Sequence, residues 1–128
     1  MNQQSTFTVQ SWNEESFFEQ DSNKMVVAKV EQNYSGHIQG SSRLEYVMYY
    51  MGAMRATFVG LEVIEGTVDG KSGSFAIRHV GEFKDGAANS QWQVVEQSGT
   101  GELSAISGGG SFSAKGREVV TEHSLKIV

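Results

Sequence analysis

Glu62 and His79 are the acid and base of this chain whose positions best suit chemistry. The run from Ala56 to Phe83, ATFVGLEVIEGTVDGKSGSFAIRHVGEF, reads as one long β-hairpin turning at Asp69-Gly70-Lys71-Ser72. Asp-Gly between β-rich segments supplies the positive φ that tight hairpin turns need. With Val68 opposite Gly73, Phe58 faces Phe83, Gly60 faces Gly81, Glu62 faces His79, Ile64 faces Ile77 and Gly66 faces Phe75. Alternate residues of a strand point the same way, so all ten share one face. A shorter Asp69-Gly70 turn shifts the register by two residues, makes the acid–base pair diagonal and keeps the same residues on that face. A carboxylate beside an imidazole orients the ring and fixes its tautomer. Such a pair can move a proton to or from a small organic molecule. The competing reading is a polar pair that satisfies itself inside a protein core.

Around the pair, Phe58, Ile64, Phe75, Ile77 and Phe83 supply an apolar lining, and Tyr34 and Tyr46 can extend the polar cluster. Glu45 lies opposite Tyr46 in strand parity, so at most one of those two shares the face of the pair. The histidines His37, His79 and His123 fall at no spacing diagnostic of a metal site. Gly66 to Ser72, GTVDGKS, is one residue short of a phosphate loop and no helix follows it. No cofactor and no metal are therefore expected.

The elements that position these residues are strands. Ser5 to Trp12 alternates as a first strand, and the acidic stretch Asn13 to Asn23 is expected to be a loop, or a short helical turn capped by Asn13, with Phe17 and Phe18 pinned over an apolar rim. Lys24 to Gly40 reads as one long strand with the stripe Ala28, Val30, Gln32, Tyr34, Gly36 and Ile38, and with a bulge or bend at Ser35-Gly36. Ser41-Ser42 is expected to turn the chain into Arg43–Met51, where Leu44, Tyr46, Met48 and Tyr50 oppose Glu45, Val47, Tyr49 and Met51. Both faces of that strand are apolar enough to be covered, which points to a homo-oligomer. Lys84-Asp85-Gly86 is a second hairpin turn, leading to a strand from Ala88 to Glu96. Gln97 to Gly101 is a loop, Glu102 to Ile106 one helical turn, and Gly108-Gly109-Gly110 a flexible turn that stops it. Ser111–Ala114 and Arg117–Val128 are the last strands.

About eight strands joined by short turns, with no long amphipathic helix, close most naturally into an antiparallel all-β barrel. Fifteen glycines and no proline suit strongly coiled strands. A chain of 128 residues, 38% hydrophobic and 20% charged, is a single soluble domain spanning residues 1–128. Its net charge of −5 argues against nucleic acid, and with no cysteine it has neither disulfide framework nor thiolate metal site. No apolar run approaches a membrane span, and the polar start is no signal peptide, so a cytoplasmic bacterial protein is expected.

Glu45-Tyr46, Phe58-Val59-Gly60-Leu61-Glu62, Gly70 through Phe75, His79 through Phe83 and Ser98 through Leu103 carry a resemblance, and Trp12 after Phe7-Thr8-Val9 fits it as well. In these the chain resembles a family of small bacterial proteins known only as a domain of unknown function. The resemblance implies an antiparallel barrel like that of allene oxide cyclase. It does not imply the cyclase reaction, since none of that enzyme's active-site residues maps onto this chain.

Three functions are expected to compete. One is binding of a small apolar ligand in the barrel lumen near Glu62 and His79. Another is an isomerase, cyclase or lyase using those two residues as catalytic acid and base. The last is a structural oligomer with a solid barrel.

Overall fold

The computed structural model describes residues 2–128. Eight strands form a closed antiparallel barrel in which each strand pairs with its neighbours in sequence and the last returns to the first. They are β1 (Gln3–Gln20), β2 (Asn23–Gly36), β3 (Ile38–Met51), β4 (Ala56–Val68), β5 (Lys71–Lys84), β6 (Ala87–Val94), β7 (Ser107–Ala114) and β8 (Glu118–Lys126), with one 3₁₀ turn at Gly101–Leu103. Among the described residues no helix is long and apolar enough to cross a membrane.

The central hairpin forms in the shorter of its two registers. Asp69 and Gly70 take φ of 50° and 79°, the paired positive values of a tight primed turn whose twist matches the strands it joins. Val68 therefore pairs with Lys71, and Glu62 lies directly across from Ile77 with His79 opposite Gly60. The acid and base are diagonal neighbours on one face. Asp85-Gly86 makes the same kind of turn, with φ of 55° and 77°.

Elsewhere three expectations are corrected. The stretch 13–23 is not a loop: β1 continues to Gln20 and pairs with β2 back to Asn23, bulging between Val9 and Ser11 and between Ser16 and Phe18. That arm is exposed on both faces, and Phe17 and Phe18 stand in solvent instead of covering a rim. The second turn falls at Gly36-His37, where Gly36 takes φ of 105°, while Ser41 and Ser42 lie mid-strand opposite Glu65 and Ile64. Gly108, Gly109 and Gly110 are part of β7, not a turn, because Gly110 sits opposite Trp92. Gly110 belongs to a series. Tyr46 pairs with Gly60, Phe58 with Gly81 and Trp92 with Gly110. A Cβ on Gly60 would come within 2.7 Å of the Tyr46 ring, and on the other two glycines it would collide with the paired aromatic. Each ring occupies the space a cross-strand glycine leaves open, which lets the barrel coil tightly around large side chains.

Inward positions form two clusters. One, at the end holding the β4–β5 turn, packs Tyr34, Ile38, Ile64, Val68, Phe75, Ile77, Leu103 and Ile106 among others. Here the chain between β6 and β7 runs back along β5. Thr100 N–H donates to Ser74 O at 2.8 Å, Ser74 N–H to Thr100 Oγ1 at 3.0 Å and Ala76 N–H to Ser98 Oγ at 3.0 Å. Glu102 accepts from Ser72 N–H and from its hydroxyl, which lowers the Glu102 carboxyl below its ordinary range. The crossing drops Leu103, fully buried, into the barrel end as a plug. The other cluster, Val26, Ala28, Val30, Leu44, Tyr46, Met48, Ala56 and Phe58, lines the opposite end.

Candidate functional site

Glu62 is 1% exposed and projects from β4 into the middle of the lumen, between the two clusters. Three donors surround its carboxylate. His79 Nε2–H donates to Oε1 at 2.7 Å, while Tyr34 O–H at 2.6 Å and Gln32 Nε2–H at 3.3 Å donate to Oε2. Behind the imidazole, Nδ1 lies 2.9 Å from Ser90 Oγ, which can donate to a neutral ring or accept from a protonated one. Four strands thus converge on one buried chain, Gln32/Tyr34–Glu62–His79–Ser90. A buried carboxylate persists only with such a complement of donors. Burial, then the Glu62 charge, pushes the Tyr34 hydroxyl well above the ordinary tyrosine range, so Tyr34 is a fixed donor.

Tyr46 stands apart from this chain. It is 6% exposed, its ring meets Phe58 at 5.0 Å and His79 at 5.5 Å, and burial followed by the Glu62 charge raises its hydroxyl far above the ordinary range with no hydrogen bond contributing. Tyr46 and Gln32 face a cavity of about 400 Å³ that opens at the end away from the plug. Its walls are Phe7, Val9, Met48, Phe58, Phe83 and Phe112, and Trp12 stands at its mouth, 41% exposed and 5.9 Å from the Tyr46 ring. The volume falls in the range of small-molecule sites, with an apolar wall and few polar groups. A wider depression of about 880 Å³ is lined by residues of β4 to β8, among them Ser90 at the end of the buried chain.

Of the residues singled out in the sequence, Glu62, His79 and Tyr34 meet in the buried chain, and Tyr46, Phe58 and Phe83 line the cavity. The structure does not bring Ile64, Phe75 and Ile77 to the cavity; they pack in the plugged end. Glu62 and His79 do not line the cavity either, because Gln32 and Tyr46 stand at its inner surface. Sequence reasoning missed Ser90, whose inward parity with Trp92 and Val94 was visible, and Gln32, the one side-chain amide on the stripe from Ala28 to Ile38. It also missed Phe7, Trp12, Met48 and Phe112, which come from strands far apart in sequence.

At the plugged end a second polar chain closes the seam between β1 and β8. His123 Nε2 lies 2.8 Å from Ser5 Oγ, which accepts from Ile38 N–H at 2.9 Å, and His123 Nδ1 lies 3.2 Å from Gln3 Oε1. The His37 ring is 5.4 Å from His123. Burial, then repulsion from His37, lowers His123 from 6.5 to about 4.

No curated protein matches the chain. A solved structure of a protein of unknown function from Shewanella oneidensis MR-1, itself of the DUF3224 family, superposes with a TM-score of 0.83. It is 22% identical, over 98% of this chain and 96% of that one, a likeness that shows the fold. The family model described as "Protein of unknown function (DUF3224)" matches residues 3–126, and the chain belongs to that family.

Proposed function

We propose that this protein binds a small, mostly apolar molecule in the open half of its lumen, above the Glu62–His79 chain. The observation that carries the reading is the cavity itself: about 400 Å³, walled by apolar side chains, with Tyr46 and Gln32 as polar residues of its lining. Such a lining, apolar with few polar groups, suits a small molecule whose carbonyl or hydroxyl bonds to Tyr46 or Gln32 at the cavity floor. In this reading Glu62 and His79 are positioning residues: they hold Gln32 and set the field at Tyr46. Acid–base catalysis by Glu62 and His79 would require a substrate to pass Gln32 and Tyr46, so the geometry favours binding over reaction. Likeness to the allene oxide cyclase barrel is part of this reading only as an architecture for enclosing an apolar guest, supported by the strand count and closure.

Self-association is the other part of the proposal. Val47, Val59, Leu61, Val63 and Val80 are 39–58% exposed on the outer face of β3–β5, with Val47, Val59 and Val80 in one cross-strand row. Arg43, Glu45, Glu65 and Arg78 surround them with both signs of charge, which suits a second copy of the same acidic chain. A monomer by sedimentation at micromolar concentration would contradict it. The lumen reading is tested by titrating the neutral fluorophore N-phenyl-1-naphthylamine into the wild type and into Ala88→Trp, whose indole would fill the cavity that Ala88 lines. Saturable enhancement in the wild type, lost in a folded variant, is expected. Equal signals in both would refute binding in the lumen.

A further inference from the structure

Charged side chains are scarce around the cavity, and the two that line it, Lys115 and Arg117, are both cations. They flank Gly116 in the β7–β8 turn of a chain whose formal net charge is −5, so they run against the overall balance. Lys24 adds a third cation beside the mouth, its ammonium 5.1 Å over the ring of Tyr50, another lining residue. Carboxylates share this end of the barrel, Glu118 after Arg117, Asp85 before Gly86 and Glu19 across from Lys24, but none lines the cavity. Glu14 is engaged by Trp12 Nε1–H at 2.7 Å and Tyr50 O–H at 3.1 Å. The opposite sign holds at the floor. There the Glu62 carboxylate stands directly behind Gln32, and its charge reaches Tyr46. The cavity therefore runs from a positive mouth, along an apolar wall, to a floor that repels anions but offers hydrogen bonds.

We infer that the lumen ligand is an amphipathic anion, with an aromatic or short hydrocarbon body between Phe7, Phe58 and Phe112 and a carboxylate or similar single anionic group held at the mouth by Lys115 and Arg117. The inference rests on the lumen-binding reading and adds the ligand's charge and its direction of entry. The apolar end enters first, because an anion led to the floor would meet Glu62. A neutral carbonyl or hydroxyl on the leading end is compatible with Tyr46 and Gln32. Since the two cations are exposed, their effect is screened by salt, whereas burial of the body is not.

The experiment uses two fluorophores with one skeleton: 1-anilinonaphthalene-8-sulfonate, which is anionic, and N-phenyl-1-naphthylamine, which lacks the sulfonate. Each is titrated into the full chain at low and at high salt, for the wild type and for Lys115→Gln/Arg117→Gln, with Ala88→Trp as the filled-lumen control. The sulfonate should bind wild type about tenfold more tightly than its neutral analogue at low salt, and the double variant should remove that advantage while leaving the neutral probe unchanged. Both signals should vanish in Ala88→Trp. If the two probes bind wild type equally and the double variant changes neither, the anion inference is overturned and the lumen reading stands. If neither probe binds the wild type, the lumen reading falls and the inference with it.

Discussion

The two ends of the barrel are made from the same eight strands, yet one is sealed and the other holds a cavity of about 400 Å³. Connection length accounts for the difference. At the open end the strands are joined by turns of two to four residues, at 21–22, 52–55, 85–86 and 115–117, which are too short to cross the lumen. At the sealed end residues 95–106 run under the barrel, stitched to β5 by Ser98, Thr100 and Glu102. Leu103 and Ile106 then complete a core around Ile38, Ile64, Val68 and Phe75. A sealed core and an open cavity are thus separated along the barrel axis, with the Glu62 chain at the border.

Breaking the sealed end should have the largest effect. Leu103→Ala leaves a hole in a core that cannot close over it, and should cost about 2–5 kcal/mol in denaturant unfolding. An unfolding midpoint near wild type would mean that the plug contributes little. Glu62→Gln comes next. An amide oxygen can still accept from Tyr34 and Gln32, but its N–H must oppose His79 Nε2–H or switch that ring to its other tautomer. The charge-assisted bonds are lost as well, so the change should cost about 1.5–3 kcal/mol. A melting temperature equal to or above wild type would instead mean that Glu62 is kept for a ligand at the expense of the fold.

A smaller, pH-dependent effect sharpens the comparison at the β1–β8 seam. His123 is lowered from 6.5 to about 4 in the folded protein, so the unfolded chain binds the extra proton between those values. Its contribution to stability is complete above about pH 6.5 and is lost as pH falls from there toward about 4. Melts of wild type and His123→Gln should show the gap between them narrowing over that window; a gap independent of pH would contradict the burial of a neutral ring. The smallest effect on stability is expected at the open end. Tyr46→Phe removes a hydroxyl outside the buried chains, and should leave the melt unchanged or slightly raised while weakening a ligand that bonds to it. A clear loss of stability would show that Tyr46 serves the core instead.

The barrel and its central face were legible in the sequence because burial imposes alternation: Phe58, Glu62, Ile64, Phe75, Ile77 and His79 all face inward as their parity requires. The register was legible only to within two residues, because parity is the same for both turns and the choice rests on the φ values of Asp69 and Gly70. The arm from Asn13 to Gln20 was hidden for the opposite reason. It is wet on both faces, so no apolar period marks it as a strand. The Glu62–His79 contact could be anticipated because one hairpin holds both residues. Ser90 reaches the pair through the neighbouring β5–β6 ladder, where it lies opposite Gly81, whereas Gln32 comes from β2, a strand that is not paired with β4 or β5.

The division of the lumen is tested most directly by methyl NMR during titration with N-phenyl-1-naphthylamine. The account predicts saturable shifts for methyls of Val9, Met48, Ala88 and Val119, which line the cavity, and none for Ile38, Ile64, Val68 and Leu103 in the sealed core. Shifts spread evenly over both sets, or confined to the sealed end, would contradict it.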